Sequence, residues 1–126
     1  MRLLLDTHAF VWWLQDSPRL GHGARRAVAD TRSLIHVSAA SIWELAIKSA
    51  LGKVNVGRAA IPAEITANGF IELSIRAAHA WRASSLPRHH DDPFDRMLVA
   101  QAQLEDLTLV THDSVFEKYE VPVLSA

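Results

Sequence analysis

Apolar residues recur along the chain in two spacings, and each spacing predicts a different kind of element. Short continuous apolar runs bounded by polar residues are typical of strands that are buried on both faces of a sheet. The last such run contains Pro122, which indicates an edge strand, because proline cannot donate a hydrogen bond to a neighbouring strand. The predicted strands are residues 3–5, 35–37, 70–73, 107–111 and 121–124.

Between these runs, apolar residues stand three or four positions apart, a spacing that predicts helices. The clearest helix carries Ile42, Leu45 and Ala46 on one face, and Gly52 is free to end it in a left-handed conformation. Ser74 is suited to cap a later helix. The other helices are predicted at residues 9–14, 23–30, 62–68, 74–83 and 93–105, with a short helical turn around 116–119.

Strands and helices therefore alternate from one end of the chain to the other. Parallel strands need long crossovers between them, and helices usually supply these. The alternation predicts an α/β fold with a mostly parallel sheet and helices on both faces. A length of 126 residues suits one domain, residues 1–126, and 49% hydrophobic residues provide for a substantial core.

Composition excludes several kinds of site. The absence of cysteine excludes disulfides, thiolate metal sites and a cysteine nucleophile. No apolar run approaches the roughly 18 residues that span a membrane, and the first run ends at Asp6 unlike a secretory signal, so we expect a cytoplasmic protein. A formal net charge of −1 does not by itself predict a nucleic-acid-binding surface, although bound cations would change that charge.

Acidic residues stand where the predicted strands and helices meet. Asp6 and Asp113 each follow an apolar strand, and Glu44 and Asp95 fall in the predicted first turns of helices that begin on the same side. Parallel strands share a direction, so these side chains should meet beyond the carboxyl ends of the strands, where such sheets bind ligands. Clustered carboxylates repel one another unless cations are bound, and oxygen ligands without cysteine favour Mg²⁺ or Mn²⁺. The pattern predicts a metal centre and catalytic site made of these four residues.

Each acid also has a purely structural interpretation. Asp6 can cap the helix that follows it, and Asp113 can be an ordinary turn residue. Ser41 and Glu44 match a capping box, in which the two residues satisfy the first backbone amides of a helix. The joint occurrence of the acids, more than any one of them, favours the metal centre.

Polar neighbours of these acids are predicted to support them. Asp92 precedes Pro93 and stands three residues before Asp95, which favours Asp92 as the helix cap and Asp95 as the ligand. Thr7 and Thr111 adjoin the strand ends and are expected to orient the metal-binding carboxylates through hydrogen bonds.

Basic residues near the predicted centre allow several interpretations. Arg96 adjoins Asp95 and is expected to pair with a carboxylate or to meet a phosphate, and Arg88 is a further candidate for a phosphate contact. His89 and His90 are adjacent rather than at helical ligand spacing, which favours a solvated loop, and His112 is expected to support a turn.

Trp12 and Trp13 are adjacent on one predicted helix. Neighbouring residues on a helix point about 100° apart, so both rings cannot face the same layer. At least one of them should be partly exposed, where tryptophan favours a protein interface.

The segments that carry these acids resemble the PIN-domain family, and more narrowly its VapC-type toxins from bacterial toxin–antitoxin pairs. The resemblance covers nearly the whole chain, and the block from Asp92 to Arg96 is its most specific part. The similar segments are Leu-Leu-Asp-Thr-His (4–8), Ser-Ala-Ala-Ser-Ile-Trp-Glu (38–44), Asp-Pro-Phe-Asp-Arg-Met-Leu-Val-Ala-Gln-Ala (92–102) and Val-Thr-His-Asp (110–113).

This resemblance implies a five-stranded parallel sheet in a three-layer α/β/α sandwich. It places the family's acidic quartet on Asp6, Glu44, Asp95 and Asp113, with Asp92 as a further acid. It implies Mg²⁺- or Mn²⁺-dependent hydrolysis of RNA phosphodiester bonds, a homodimer and a small cognate antitoxin that blocks the site. Trp12 or Trp13 would then help form the groove for a hydrophobic antitoxin helix.

Two alternatives remain at this point. One is a phosphoryl-transfer enzyme on the same layout, a receiver domain or a phosphatase. A receiver needs an acidic pair after the first strand, and the phosphatase pattern needs a second aspartate two residues after Asp6, where the chain has His8. The other is a binding module without catalysis, whose acids only cap helices.

Overall fold

A computed structural model of the protein describes residues 1–55 and 61–126. The strands are β1 (Arg2–Leu5), β2 (Leu34–Ser38), β3 (Ile71–Leu73), β4 (Thr108–Thr111) and β5 (Val123–Ser125). The helices are α1 (Thr7–Leu14), α2 (His22–Ala29), α3 (Ala39–Ala50), α4 (Ile61–Ala67), α5 (Ala77–Ser85) and α6 (Pro93–Glu105), and a 3₁₀ helix spans Ser114–Lys118.

The strands form a five-stranded sheet in the order β3-β2-β1-β4-β5, and every pairing is parallel. This confirms the predicted parallel sheet and the edge position of the last strand. Strands β2 and β3 extend the sheet on one side of β1, and β4 and β5 extend it on the other side. Connections leave β1 and β4 in opposite directions, so a crevice opens between their carboxyl ends.

Buried side chains on both faces of the sheet hold the sandwich together. Leu3 and Leu5 point to one face and Leu4 to the other, as strand geometry requires, and all three are fully buried. Leu3 and Leu5 pack in a cluster that includes residues of α1, α2 and α4, and Leu4 packs in one that includes residues of α5 and α6. The predicted α/β/α architecture is thereby confirmed.

Two helices do not begin at the caps that the sequence suggested. Helix α3 begins at Ala39, where the Ser38 hydroxyl accepts a hydrogen bond from the Ala40 amide at 3.0 Å. Helix α5 begins at Ala77, so the predicted cap at Ser74 is wrong, and the Ser74 carbonyl instead accepts from the Gln101 side chain at 3.2 Å. The end of α3 is as predicted, with Gly52 at a φ of +72°.

None of the helices in residues 1–55 and 61–126 is long and apolar enough to cross a membrane.

Candidate metal centre

Asp6 lies directly beyond β1, and both of its carboxylate oxygens accept a hydrogen bond. The Ala9 amide donates to Oδ1 at 2.7 Å and the Thr111 hydroxyl donates to Oδ2 at 2.6 Å, while the residue is only 5% exposed. Asp6 is thus the cap of α1, as the structural interpretation allowed. Burial raises the pKa of Asp6, against the opposing effects of Thr111, Ala9 and nearby His8, and the charge of Glu44 raises it further.

Glu44 enters the same region from α3, and the predicted capping box is wrong. Because α3 begins at Ala39, Glu44 lies in its second turn, out of reach of the helix start. Its carboxylate is buried and accepts from the Thr7 hydroxyl at 2.6 Å and from the Lys48 ammonium at 2.5 Å. Thr7 also lies 3.0 Å from the Ser41 hydroxyl, so the contacts of Glu44 link α3 to the start of α1.

Asp92 and Asp95 open α6 in the arrangement that the sequence predicted. Asp92 is the cap, and its carboxylate accepts from the Asp95 amide at 3.0 Å. The Asp95 carboxylate accepts from His90 Nε2 at 2.7 Å. Burial, together with the charges of Asp92 and Glu44, raises the pKa of Asp95 from 3.8 to about 6 despite the hydrogen bond from His90.

Asp113 is exposed and caps the 3₁₀ helix by accepting from the Val115 amide at 3.0 Å. Its own amide donates to the Thr111 hydroxyl at 3.1 Å, the same hydroxyl that donates to Asp6. One potential ligand atom from each of His90, Asp95 and Asp113 lies within 4.8 Å of the others.

The structure therefore brings the four predicted acids to one edge of the sheet, at the crevice between β1 and β4. Asp6 and Asp113 line a common cavity of about 450 Å³ together with His8, Trp12, Arg19, His112 and Ser114. Glu44 lies close enough for its charge to raise the pKa of both Asp6 and Asp95. Thr7 and Thr111 donate hydrogen bonds to the carboxylates of Glu44 and Asp6, as their positions in the sequence predicted.

This donor set fits a hard divalent cation. The four carboxylates offer oxygen donors, which is the chemistry of Mg²⁺ or Mn²⁺ sites, and their mutual repulsion would be relieved by a cation. Asp6, Glu44, Asp95 and Asp113 are the residues that would hold it.

Sequence reasoning missed two members of this cluster. Lys48 lies four residues after Glu44 on the same face of α3, a spacing that could have indicated the contact. The hydrogen bond that Lys48 donates to Glu44, together with the negative charges of Glu44, Asp92 and Asp95, raises the pKa of Lys48. His90 is half-buried against Asp95, whereas a solvated loop was expected.

Arg96 does not form the ion pair that was expected. Its guanidinium donates to the carbonyls of Ala83, Leu86, Pro87 and His90 at 2.8–3.2 Å and so fastens the loop before α6 to the helix. These four bonds occupy both terminal nitrogens of the guanidinium, Nη1 and Nη2, which disfavours a bidentate phosphate contact. Arg88 is exposed, with its guanidinium 3.6 Å from the Asp91 carboxylate.

Trp12 and Trp13 are both half-buried, as the helix geometry predicted for at least one of them. Trp13 packs on Phe70 and donates from Nε1 to the Asn68 side chain at 3.0 Å. Trp12 instead lies between His8 and His112, with ring centroids 5.9 and 5.7 Å away, and lines the cavity beside Asp6.

Comparison with solved structures finds the same fold in proteins of low sequence identity. VapBC2 from Rickettsia felis, in a crystal structure with a DNA fragment from its promoter, contains a chain with a TM-score of 0.73 and 14% identity, covering 100% of this chain and 99% of that one. The DNA-bound VapBC from Salmonella typhimurium gives a TM-score of 0.73 and 18% identity, with coverage of 99% and 98%. FitAcB from Neisseria gonorrhoeae gives 0.63 and 20%, with coverage of 97% and 96%.

A search among curated proteins finds no match. The family model of the PIN domain matches residues 3–122, nearly the whole chain and all four of the acids that meet at the crevice. The chain belongs to the PIN domain family.

Proposed function

We propose that this protein is a Mg²⁺- or Mn²⁺-dependent endoribonuclease and acts as the VapC-type toxin of a toxin–antitoxin pair. The observation that carries the proposal is the convergence of Asp6, Glu44, Asp95 and Asp113 at the crevice between β1 and β4. PIN domains are in general nucleases that use divalent metal ions. The VapBC complexes that share the fold make a toxin the favoured kind of nuclease.

The residues of the crevice suit the hydrolysis of a phosphodiester. A divalent ion bound there would polarise the phosphate and lower the pKa of a water molecule. Asp6 and Asp95 would hold the ion directly and Asp113 directly or through water, while Glu44 would complete the ligand set or help to deprotonate the water. The Thr7 hydroxyl donates to Glu44 and the Thr111 hydroxyl donates to Asp6, and these hydrogen bonds fix the orientation of the two carboxylates.

The substrate strand is proposed to enter through the cavity that Asp6 and Asp113 share. The positively charged side chain of Arg19 lines this cavity, and the ring of Trp12 lines it beside the acids. A cationic group positions a phosphate, and an aromatic ring can stack with an unpaired base. Arg88 remains a prediction for a more distant phosphate contact, and Arg96 is disfavoured because carbonyls occupy its donors.

Cleavage of an RNA and of a DNA of the same sequence tests the proposal. We expect cleavage of the RNA with Mg²⁺ or Mn²⁺, none with excess chelator, and little of the DNA. Asp113→Asn should remove this activity, whereas Asp91→Asn, at another exposed acid that lies outside the cluster, should retain it. Equal activity in the two variants would contradict the assignment.

A binding module without catalysis is the second candidate, because Asp6, Asp92 and Asp113 do cap helices. Glu44 separates the two functions, since it caps nothing. Glu44→Gln keeps the hydrogen bond from Thr7 in a neutral form, so a folded but inactive variant supports the nuclease. A folded variant with undiminished RNA cleavage would show that Glu44 is not part of the metal centre.

Protein partners are part of the proposed function. Trp43 and Ile47 on helix α3, and Leu51 directly after its end, follow one another at a spacing of four residues and are 61%, 38% and 64% exposed. We assign this apolar stripe to a homodimer contact, and the groove beside Trp12 to an antitoxin helix. Sedimentation of the wild type and Ile47→Glu tests the dimer. Co-purification of Trp12→Ala with the antitoxin that the proposal expects tests the antitoxin groove, with Trp81→Ala as an exposed control.

A further inference from the structure

His90 lies within the acidic cluster, although its neighbours His89 and Asp91 are exposed. Its side chain is 26% exposed, and its Nε2 lies 2.7 Å from Asp95 Oδ2. One ligand atom each from His90, Asp95 and Asp113 falls within 4.8 Å of the others. Ligands that share one small divalent ion at about 2.1 Å stand at most about 4.2 Å apart. These atoms therefore need only a small movement to close around one ion.

The surrounding loop holds His90 in this position through contacts that do not involve Asp95. The Arg96 guanidinium donates to the His90 carbonyl at 3.2 Å and to the carbonyl of Leu86 at 3.0 Å. The imidazole packs edge-on against the buried ring of Phe116, with centroids 6.3 Å apart. The backbone and the ring are thus both fixed with Nε2 directed at the acids. Such preorganisation is what a metal ligand requires.

We propose that His90 is a nitrogen ligand of the metal ion, which makes the centre a mixed nitrogen and oxygen site that selects Mn²⁺ over Mg²⁺. This inference rests on the proposed metal-dependent function and adds a ligand to the four acids. Mg²⁺ prefers oxygen donors and gains little from an imidazole, whereas transition-metal ions accept nitrogen readily. The competing explanation is that His90 only holds Asp95 by a hydrogen bond.

Pulsed electron paramagnetic resonance on the Mn²⁺-loaded protein distinguishes these explanations. Protein prepared with ¹⁴N- or ¹⁵N-histidine should show an electron spin-echo modulation that changes with the nitrogen isotope, because the nitrogen is bound to the ion. His90→Gln should lose this modulation, and its side chain can still donate to Asp95. His112→Gln and His8→Gln should retain it, which excludes the other histidines near Asp6 and Asp113.

Metal affinity, measured by titration calorimetry of the same proteins, gives the second readout. We expect His90→Gln to weaken Mn²⁺ binding by about tenfold or more and Mg²⁺ binding by much less. Wild-type protein that binds Mn²⁺ without nitrogen modulation overturns the inference about His90 and leaves the metal-dependent function standing. Wild-type protein that binds neither ion overturns both. A modulation that survives His90→Gln assigns the nitrogen to another residue and also overturns the inference.

Discussion

Neutralising Asp95 should make the metal-free protein more stable, although the residue lies in the proposed centre. In the folded chain, burial and the charges of Asp92 and Glu44 raise the pKa of Asp95 from 3.8 to about 6. Ionised Asp95 is therefore a cost to folding at neutral pH. Asp95→Asn removes the charge and keeps an oxygen that can accept from His90.

The size of the effect follows from the pKa difference. Each unit corresponds to about 1.4 kcal/mol, so charging Asp95 costs the fold up to about 3 kcal/mol. The side chain is only 23% exposed, so solvent screening removes little of this. For a chain of this length, 3 kcal/mol raises the melting temperature by roughly 10 °C.

The sign of the pH dependence is fixed by the direction of the shift. A raised carboxyl pKa means that the folded state holds its proton more tightly than the unfolded state does. Protonated Asp95 therefore makes its full contribution to the stability of the wild type below pH 3.8. That stability is lost as the pH rises through about 6. The advantage of Asp95→Asn should grow between these values and stay constant above them.

Urea unfolding in the presence of chelator, at pH 4.5 and pH 8, measures both the size and the trend. Asp91→Asn, an exposed acid of the same loop, is the matched control and should change little at either pH. A variant at Asp95 that is no more stable than the wild type at pH 8 would refute the reasoning. So would an advantage that is as large at pH 4.5.

Three further predictions concern the same region. Mn²⁺ should raise the melting temperature of the wild type by mass action, as thermal scans would record, and a melting temperature unchanged up to millimolar Mn²⁺ would speak against convergent acids. Thr111→Val should lower the free energy of unfolding by about 1–3 kcal/mol, because buried Asp6 loses a donor; urea curves that overlay the wild type would show that the bond contributes nothing. Arg96→Ala should destabilise the protein and increase hydrogen exchange in residues 83–91, because it releases four carbonyls; exchange unchanged in that segment would exclude the fastening role.

The sheet and the position of its acids could be predicted because their signals are local. Three consecutive leucines followed by Asp6 define a buried strand and its end without reference to the rest of the chain. The same holds for Asp113 after β4, and for Asp92 as the cap before Pro93. Because the strands are parallel, their carboxyl ends lie at the same edge of the sheet.

The predictions that were wrong concern residues whose position depends on where a helix starts or on how a loop folds. A start at Ala39 moved Glu44 from the first turn of α3 into the second, so its partners became Thr7 and Lys48 and no longer the helix end. His90 faces Asp95 because the loop before α6 is fastened by Arg96, a tertiary network that no spacing in the sequence encodes.

Cleavage of RNA by Asp6→Asn, compared with the wild type, tests the central claim most directly. Asparagine caps a helix as well as aspartate does, so the variant should keep α1 and melt close to the wild type, while the centre loses a charged ligand. With Mn²⁺ present we expect the wild type to cleave RNA and Asp6→Asn to be slower by about a hundredfold or more. Cleavage by Asp6→Asn at the wild-type rate, or wild-type cleavage that persists in excess chelator, would contradict a metal-dependent nuclease built on these acids.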